Sequence, residues 1–270
     1  MKRVLGGVAA LVVALVATSA SAQDPGTAIP LSTNLGRACE GRLEVTQLNL
    51  RGAPIGAPQV VLSRRGLFAQ PDARGIALTQ WAREPAGEGR VIATIAPDGT
   101  LLDARVEGPL IEAMAARSPT RLDREGLAQG LAQDIPERVV FGRRFQVGDD
   151  LYTPDAVDKI ADQLIAAMGL GFPVESSAEV RFTGVETLPS GREAYVFVGP
   201  LQISGEGLSP GGTVGVNASF VYRIAYDVES GLVALSDNGG PFTLSLNGEV
   251  VRRIQFRDFY TCEIAPQAGG

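Results

Sequence analysis

The stretch VGVNASFVYRIAY, Val214 to Tyr226, alternates without a break. Val214, Val216, Ala218, Phe220, Tyr222, Ile224 and Tyr226 share one parity, and Gly215, Asn217, Ser219, Val221, Arg223 and Ala225 share the other. A period of two over this length predicts a strand with one buried and one wet face. At ~3.3 Å per residue it runs ~43 Å, longer than the usual strand. A strand of that length must twist and coil, so it belongs to a curved sheet or half-barrel wall.

The flanking sequence repeats the pattern with turn residues between. Asn247-Gly248 separates Phe242–Leu246 from Val250–Phe256, and both turn residues tolerate positive φ. Glu229-Ser230-Gly231, Pro189-Ser190-Gly191 and Pro97-Asp98-Gly99 punctuate further alternating runs. Successive hairpins make an antiparallel meander, so the fold class is mainly β within a β-rich α+β chain.

Helix is confined to an insert around residues 110–169. Thr153-Pro154-Asp155 opens a segment with Val157, Ile160, Ala161, Leu164, Ile165 and Met168 at helical spacing, ending at Gly169. A second helix is expected over Arg121–Gln133 and a short one over Leu110–Ala116. The insert divides two strand-rich stretches, 39–108 and 178–264. The Ile95–Leu102 and Tyr226–Val233 hairpins are alike enough to suggest a duplication. The expectation is one β-rich domain over 39–264, built as one body or as two β halves.

The ends read differently. Lys2 and Arg3, the apolar Leu5–Ala17 and the small-residue site Ala20-Ser21-Ala22 make residues 1–22 a signal peptide cleaved before Gln23. The apolar core of 13 residues is too short to span a bilayer, which takes ~20. No later uncharged segment reaches that length, so an integral membrane protein is not expected. A bacterial periplasmic or secreted location is. Residues 23–38 read as a flexible lead-in and 265–270 as a disordered tail.

In an oxidising compartment Cys39 and Cys262, the two cysteines of the chain, form one disulfide that ties the first strand region to the last. There is no histidine, which removes His-dependent triads, Cys–His nucleophiles and His-based zinc sites. With 24 basic and 30 acidic residues the chain carries −6. An acidic surface argues against a nucleic-acid partner. Arg64-Arg65, Arg143-Arg144 and Arg252-Arg253 read as solvated strand faces, with anion binding as the alternative.

The apparent catalytic motifs fail on chemistry. Gly207-Leu208-Ser209-Pro210-Gly211 has the spacing of a nucleophile elbow, but Pro210 has no N–H to offer an oxyanion and no histidine can deprotonate Ser209. Lys159, the one lysine beyond the signal, lies in no Ser-x-x-Lys motif. Asp149-Asp150, Asp155 and Asp158 read as turn and capping residues, although paired carboxylates also serve calcium binding or glycoside cleavage. No catalytic residue, metal site or cofactor is expected. The candidate ligand-binding residues are Trp81, Phe220, Tyr222, Tyr226 and Phe242, aromatic groups that would line an apolar cavity in a curved sheet.

In layout, an exported meander of long coiled strands with a helical segment resembles the periplasmic lipoprotein carriers and receptors. Val147-Gly148-Asp149 after a strand is similar to a turn in bacterial secreted domains of unknown function. The carrier resemblance implies an unclosed barrel plugged by helices that holds acyl chains, with no site residue carried over. The leading expectation is a non-enzymatic protein binding an apolar or amphipathic, lipid-like ligand. An envelope interaction module without a small-molecule ligand and a carboxylate-based hydrolase are the alternatives. A cavity without a polar floor suits the first, a filled core with an exposed sheet edge the second, and two facing buried carboxylates the third.

Overall fold

In the computed structural model the alternating stretch is the middle of one strand, Gly212–Asp227, and its parities divide as the sequence predicts. Val216, Ala218, Ile224 and Tyr226 are buried, whereas Asn217, Ser219 and Val221 are exposed. Ala225 breaks the pattern. It is buried on the other face because Leu188, Ala194, Val196 and Ala234 form a small second core there.

The structure describes residues 26–84, 87–117, 124–167, 170, 172–209 and 211–266. In chain order the strands before the insert are β1 (Thr27–Ala28), β2 (Leu35–Leu48), β3 (Gln59–Asp72), β4 (Gly75–Glu84), β5 (Gly87–Ile95) and β6 (Leu101–Glu107). The insert holds α1 (Pro109–Arg117), α2 (Arg124–Gln133), α3 (Pro136–Val140), β7 (Arg144–Phe145) and α4 (Pro154–Ala167). Then come β8 (Glu175–Ala178), β9 (Arg181–Thr187), β10 (Glu193–Ser209), β11 (Gly212–Asp227), β12 (Val233–Leu246) and β13 (Glu249–Pro266).

Eleven strands form one antiparallel, unclosed, curved sheet in the order β6-β5-β4-β3-β2-β13-β12-β11-β10-β8, with β9 also on β10. All four turns named from the sequence join hairpins. At the last of them Asn247 and Gly248 have φ of 51° and 81°, the left-handed values of a tight hairpin turn. The two strand-rich stretches meet in a continuous sheet, because β2 pairs with β13 over Leu35–Leu48. Cys39 and Cys262 lie directly opposite each other in that seam and are disulfide-bonded, 223 residues apart in sequence. In the loop-entropy account a closure of that size is worth up to about 5 kcal/mol.

The curl has local causes. Pro241 has no N–H for the ladder, and β11–β12 pairing skips Ser219 and Phe220 beside Gly240 and Pro241. A side chain at Gly240 would collide with the Ser219 carbonyl oxygen. Register shifts at Ala225/Tyr226 and Leu244/Ser245 add twist.

One face of the sheet carries the helices. Leu67, Leu78, Ala93 and Ile95 pack with Ile111, Leu127 and Ala132 under α1 and α2. Phe197, Ile224 and Tyr226 pack with Val140, Phe145 and Leu151. Ala161 of α4 lies with Ile203, Val216 and Phe242. The opposite, outer face is wet and ion-paired, with Arg223–Glu186 at 2.8 Å and Arg257–Asp237 at 2.9 Å.

Four expectations need correction. The lead-in is part of the fold from residue 26 on. β1 pairs with β7, Ile29 is buried, and Ser32 N–H donates to the Ser230 carbonyl. The segment has few apolar residues, but the ones it has fill a gap beside the β11–β12 turn. The helix α3 was not foreseen, because five residues are too few to show a period. Of the arginine doublets, Arg64-Arg65 is only half a solvated strand face, since Arg65 lies on the covered side over Tyr260, and Arg143-Arg144 is not one at all. Arg143 donates to the Val139, Asp150 and Leu151 carbonyls and stacks over Phe145, and Arg144 donates to the Gly26 carbonyl. Of the disordered tail expected over 265–270, Ala265 and Pro266 instead end β13, paired with Gly36 and Leu35, while the signal peptide, Arg121, Met168, Gly169 and residues 267–270 lie outside the described residues.

Candidate functional site

On the helix-bearing face, strand register aligns side chains into rows that cross the sheet. Tyr222 on β11, Asn238 on β12, Asp258 on β13 and Leu43 on β2 form one row. One side-chain step along the strands, ~7 Å, the next row holds Phe220, Phe256 and Val45. The rings of Phe220 and Phe256 pack at 5.7 Å. A polar strip therefore borders an apolar one. Leu43, Val45, Phe220, Ile254 and Phe256 are only half-buried, and Val61 beside Leu43 is 41 % exposed.

A cleft of about 800 Å³ lies over the polar row, between α3, the start of α4 and the sheet. Its floor includes Tyr222, Asp258 and Arg65, and its walls include Tyr152, Arg138 and Lys159. The rings of Tyr152 and Tyr222 meet edge-on at 5.9 Å. Burial raises both phenol pKa values, so both stay neutral donors and acceptors. Arg65 stacks over Tyr260 and lies 3.7 Å from Asp258. Burial pushes the Asp258 carboxyl up, against the opposing pull of Arg65. Oδ1 of Asp258 and Oδ1 of its neighbour Asn238 are buried without hydrogen-bond partners. Burial lowers the pKa of Arg138, whose Nε is likewise buried and unpartnered. Unmet hydrogen-bonding groups at a cleft floor are costly in an empty site and are what a bound polar group would satisfy.

The structure separates the residues singled out from the sequence. Tyr222 lines the cleft, and Phe220 belongs to the apolar strip beside it. Tyr226 is fully buried, its hydroxyl donating to the Pro136 carbonyl at 3.1 Å and its ring against Phe197. Phe242 is packed under α4. These two are core. Trp81 is on the outer face, its ring laid over Gly66 where a Cβ would collide with it. It cannot share a cavity with the other four.

Asp258, Asn238, Tyr152 and Phe256 escaped the sequence reading, whereas Arg65 was named there only within an arginine doublet. The signal was present in β13, where Phe256, Asp258, Tyr260 and Cys262 share a parity that the disulfide fixes to the covered face. The floor is thus polar where an apolar one was expected.

The carboxylates named from the sequence have structural roles. Asp149 accepts from Gln146 N–H, Asp150 pairs with Arg181, and Asp158 accepts from Ser176. The two carboxylate side chains buried among the described residues, Glu137 and Asp227, are held by Arg37 and Arg192. Ser209 closes its hairpin, with Oγ donating to the Gly212 carbonyl. Among the described residues no group of acidic, histidine or cysteine side chains suits a metal ion, and no helix is long and apolar enough to cross a membrane.

No family model and no curated protein matches the chain. A solved structure described as "lipid-protein interactions in lipovitellin" aligns at 11 % identity and a TM-score of 0.23, over 89 % of this chain and 26 % of that one. At that score the likeness carries no argument about fold or function.

Proposed function

We propose that the protein is a non-enzymatic binding protein for an amphipathic ligand, exported to the bacterial periplasm. The ligand's polar group lies over Tyr222, Asn238 and Asp258, and its apolar part runs along Phe220, Phe256 and Val45. The observation that carries this reading is the join between the two rows. A polar strip with unmet acceptors borders an apolar strip that remains half-exposed, on the face where the rest of the sheet is packed. Water can meet the polar acceptors but not the apolar strip, and an amphipathic molecule meets both. The disulfide fits an oxidising compartment.

Native mass spectrometry on the chain from Gln23 onward, purified from a bacterial periplasm, tests this directly. The expected result is an adduct lost on denaturation. The stripped protein should take up cis-parinaric acid with a rise in its fluorescence. A clean mass together with no uptake would sink the proposal.

A further inference from the structure

Asn238 on β12 and Asp258 on β13 are directly opposite each other, and each keeps one buried oxygen, Oδ1, without a hydrogen-bond partner. Nδ2 of Asn238 donates to Ser236 Oγ at 3.4 Å, which leaves the amide oxygen as its unmet group. Asp258 lines the cleft with its side chain 17 % exposed. Its other oxygen, Oδ2, has Arg65 at 3.7 Å, beyond a hydrogen bond. Burial pushes the Asp258 carboxyl up, Arg65 opposes this, and Glu84 adds to it. The floor therefore lacks a positive charge that carries hydrogens.

The wall has the opposite need. Arg138 donates from Nη1 to the Gln133 carbonyl at 3.3 Å, but its Nε is buried without a partner. Asp134 attracts the charge of Arg138 without satisfying that nitrogen. Lys159 on α4 is exposed at the same cleft. Arg143, also in the lining, is already spent on the Val139, Asp150 and Leu151 carbonyls. Four cationic and four acidic side chains line the cleft, so its formal charge is even. What it lacks is an acceptor at one place and a charged donor at another.

Resting on the reading that the cleft binds an amphipathic molecule, we propose that the ligand has a zwitterionic headgroup in which a primary ammonium is joined to a phosphate. The ammonium lies on Asp258 and Asn238, and the phosphate lies against Arg138 and Lys159. A primary ammonium brings three N–H donors to the two orphan oxygens, and to Asp258 the charge that Arg65 supplies only in part. The phosphate brings acceptors that a guanidinium matches. Other headgroups meet less of the site. A fatty acid offers acceptors alone, a glycerol headgroup offers donors without the positive charge, and a choline offers the charge without an N–H.

The test loads the chain from Gln23 onward with cis-parinaric acid and displaces it with lysophosphatidylethanolamine, lysophosphatidylcholine or lysophosphatidylglycerol of one chain length. The ethanolamine lipid should displace the probe at about a tenfold lower concentration than either of the others, the factor for one hydrogen bond to a charged group. Asp258→Asn keeps the shape of the floor and removes its charge, and should bring the ethanolamine-to-choline ratio within about threefold. Arg138→Gln should weaken all three lysolipids about tenfold and keep their ratios, because the phosphate is common to them. Circular dichroism checks that both variants fold, and Asp258→Asn, which relieves a buried charge, keeps the test decisive if Arg138→Gln does not. Equal or stronger displacement by the choline or glycerol lipid, or a ratio indifferent to Asp258→Asn, overturns this inference and leaves amphipathic binding in place. Absence of probe uptake at the outset overturns both.

Discussion

Replacing Glu137 with alanine removes the buried carboxylate through which α3 is ion-paired to the middle of the sheet. Glu137 is fully buried, and Arg37 on β2 is nearly so. Arg37 donates to both carboxylate oxygens, from Nε at 2.5 Å and Nη2 at 3.1 Å, and its Nη1 donates to Cys39 Sγ. Glu137 also accepts from the Val233 N–H at 3.0 Å. Burial works against the Arg37 charge, but Glu137 more than offsets this and holds its pKa above the usual value. Truncating one partner of a buried pair costs about 3–5 kcal/mol because the other charge is left uncompensated. The orphaned Val233 N–H adds ~1–3 kcal/mol, partly overlapping with the first term. A loss near 4 kcal/mol is a large share of the ~5–15 kcal/mol that stabilises an ordinary domain. In urea denaturation followed by far-ultraviolet circular dichroism, with a slope of ~2–3 kcal/mol/M, the midpoint should fall by ~1.5–2 M. The double variant Arg37→Met/Glu137→Leu should stay within ~2 kcal/mol of the parent, since apolar replacement of a buried pair is often neutral. A loss below ~1 kcal/mol for Glu137→Ala would refute the argument, because an ion pair that cheap to break is solvated.

Other perturbations probe separate parts of the structure. Thiol titration of the unfolded, unreduced chain should find no free thiol, and Cys39→Ser with Cys262→Ser should lower stability by up to about 5 kcal/mol. Phe220→Asp should abolish parinaric acid uptake, whereas Val221→Asp, on the exposed outer face, should shift stability by no more than ~0.5 kcal/mol in the same urea assay. The two carboxyls with opposite shifts predict opposite pH effects. Asp227 is depressed by Ser230 and Arg192 against its burial. Its stabilisation is therefore present above the ordinary carboxylate range and lost as pH falls through the lower folded value, and Asp227→Asn should remove that acid-side loss. Asp258 is raised by burial. Stability falls as pH rises from the ordinary carboxylate range through the raised folded value, so Asp258→Asn should stabilise at neutral pH and gain nothing below about pH 4. Equal melting temperatures for Asp258→Asn and parent at neutral pH would contradict that sign.

Much of the architecture is decided by short-range chemistry. Alternation over Val214–Tyr226, turn residues such as Asn247-Gly248 and helical spacing after Pro154 each act within a few residues. They specified the strands that flank those turns, four hairpins and three of the four helices. The lack of histidine and the two cysteines at opposite ends of the chain settled which chemistries to set aside and foretold the staple. Tertiary structure decided the rest, because it depends on register between strands far apart in sequence. Pairing of β2 with β13 merged two strand groups into one sheet. Register across β11, β12 and β13 set Asn238 and Asp258 beside Tyr222, and the pairing of β2 with β13 put Leu43 beside Asp258 and Val45 beside Phe256. Parity within β4 places Trp81 on one face or the other only once β3 is beside it. Whether an aromatic side chain becomes packed core, like Tyr226, or borders a cleft, like Tyr222, depends on which helix covers it, and no local pattern carries that information.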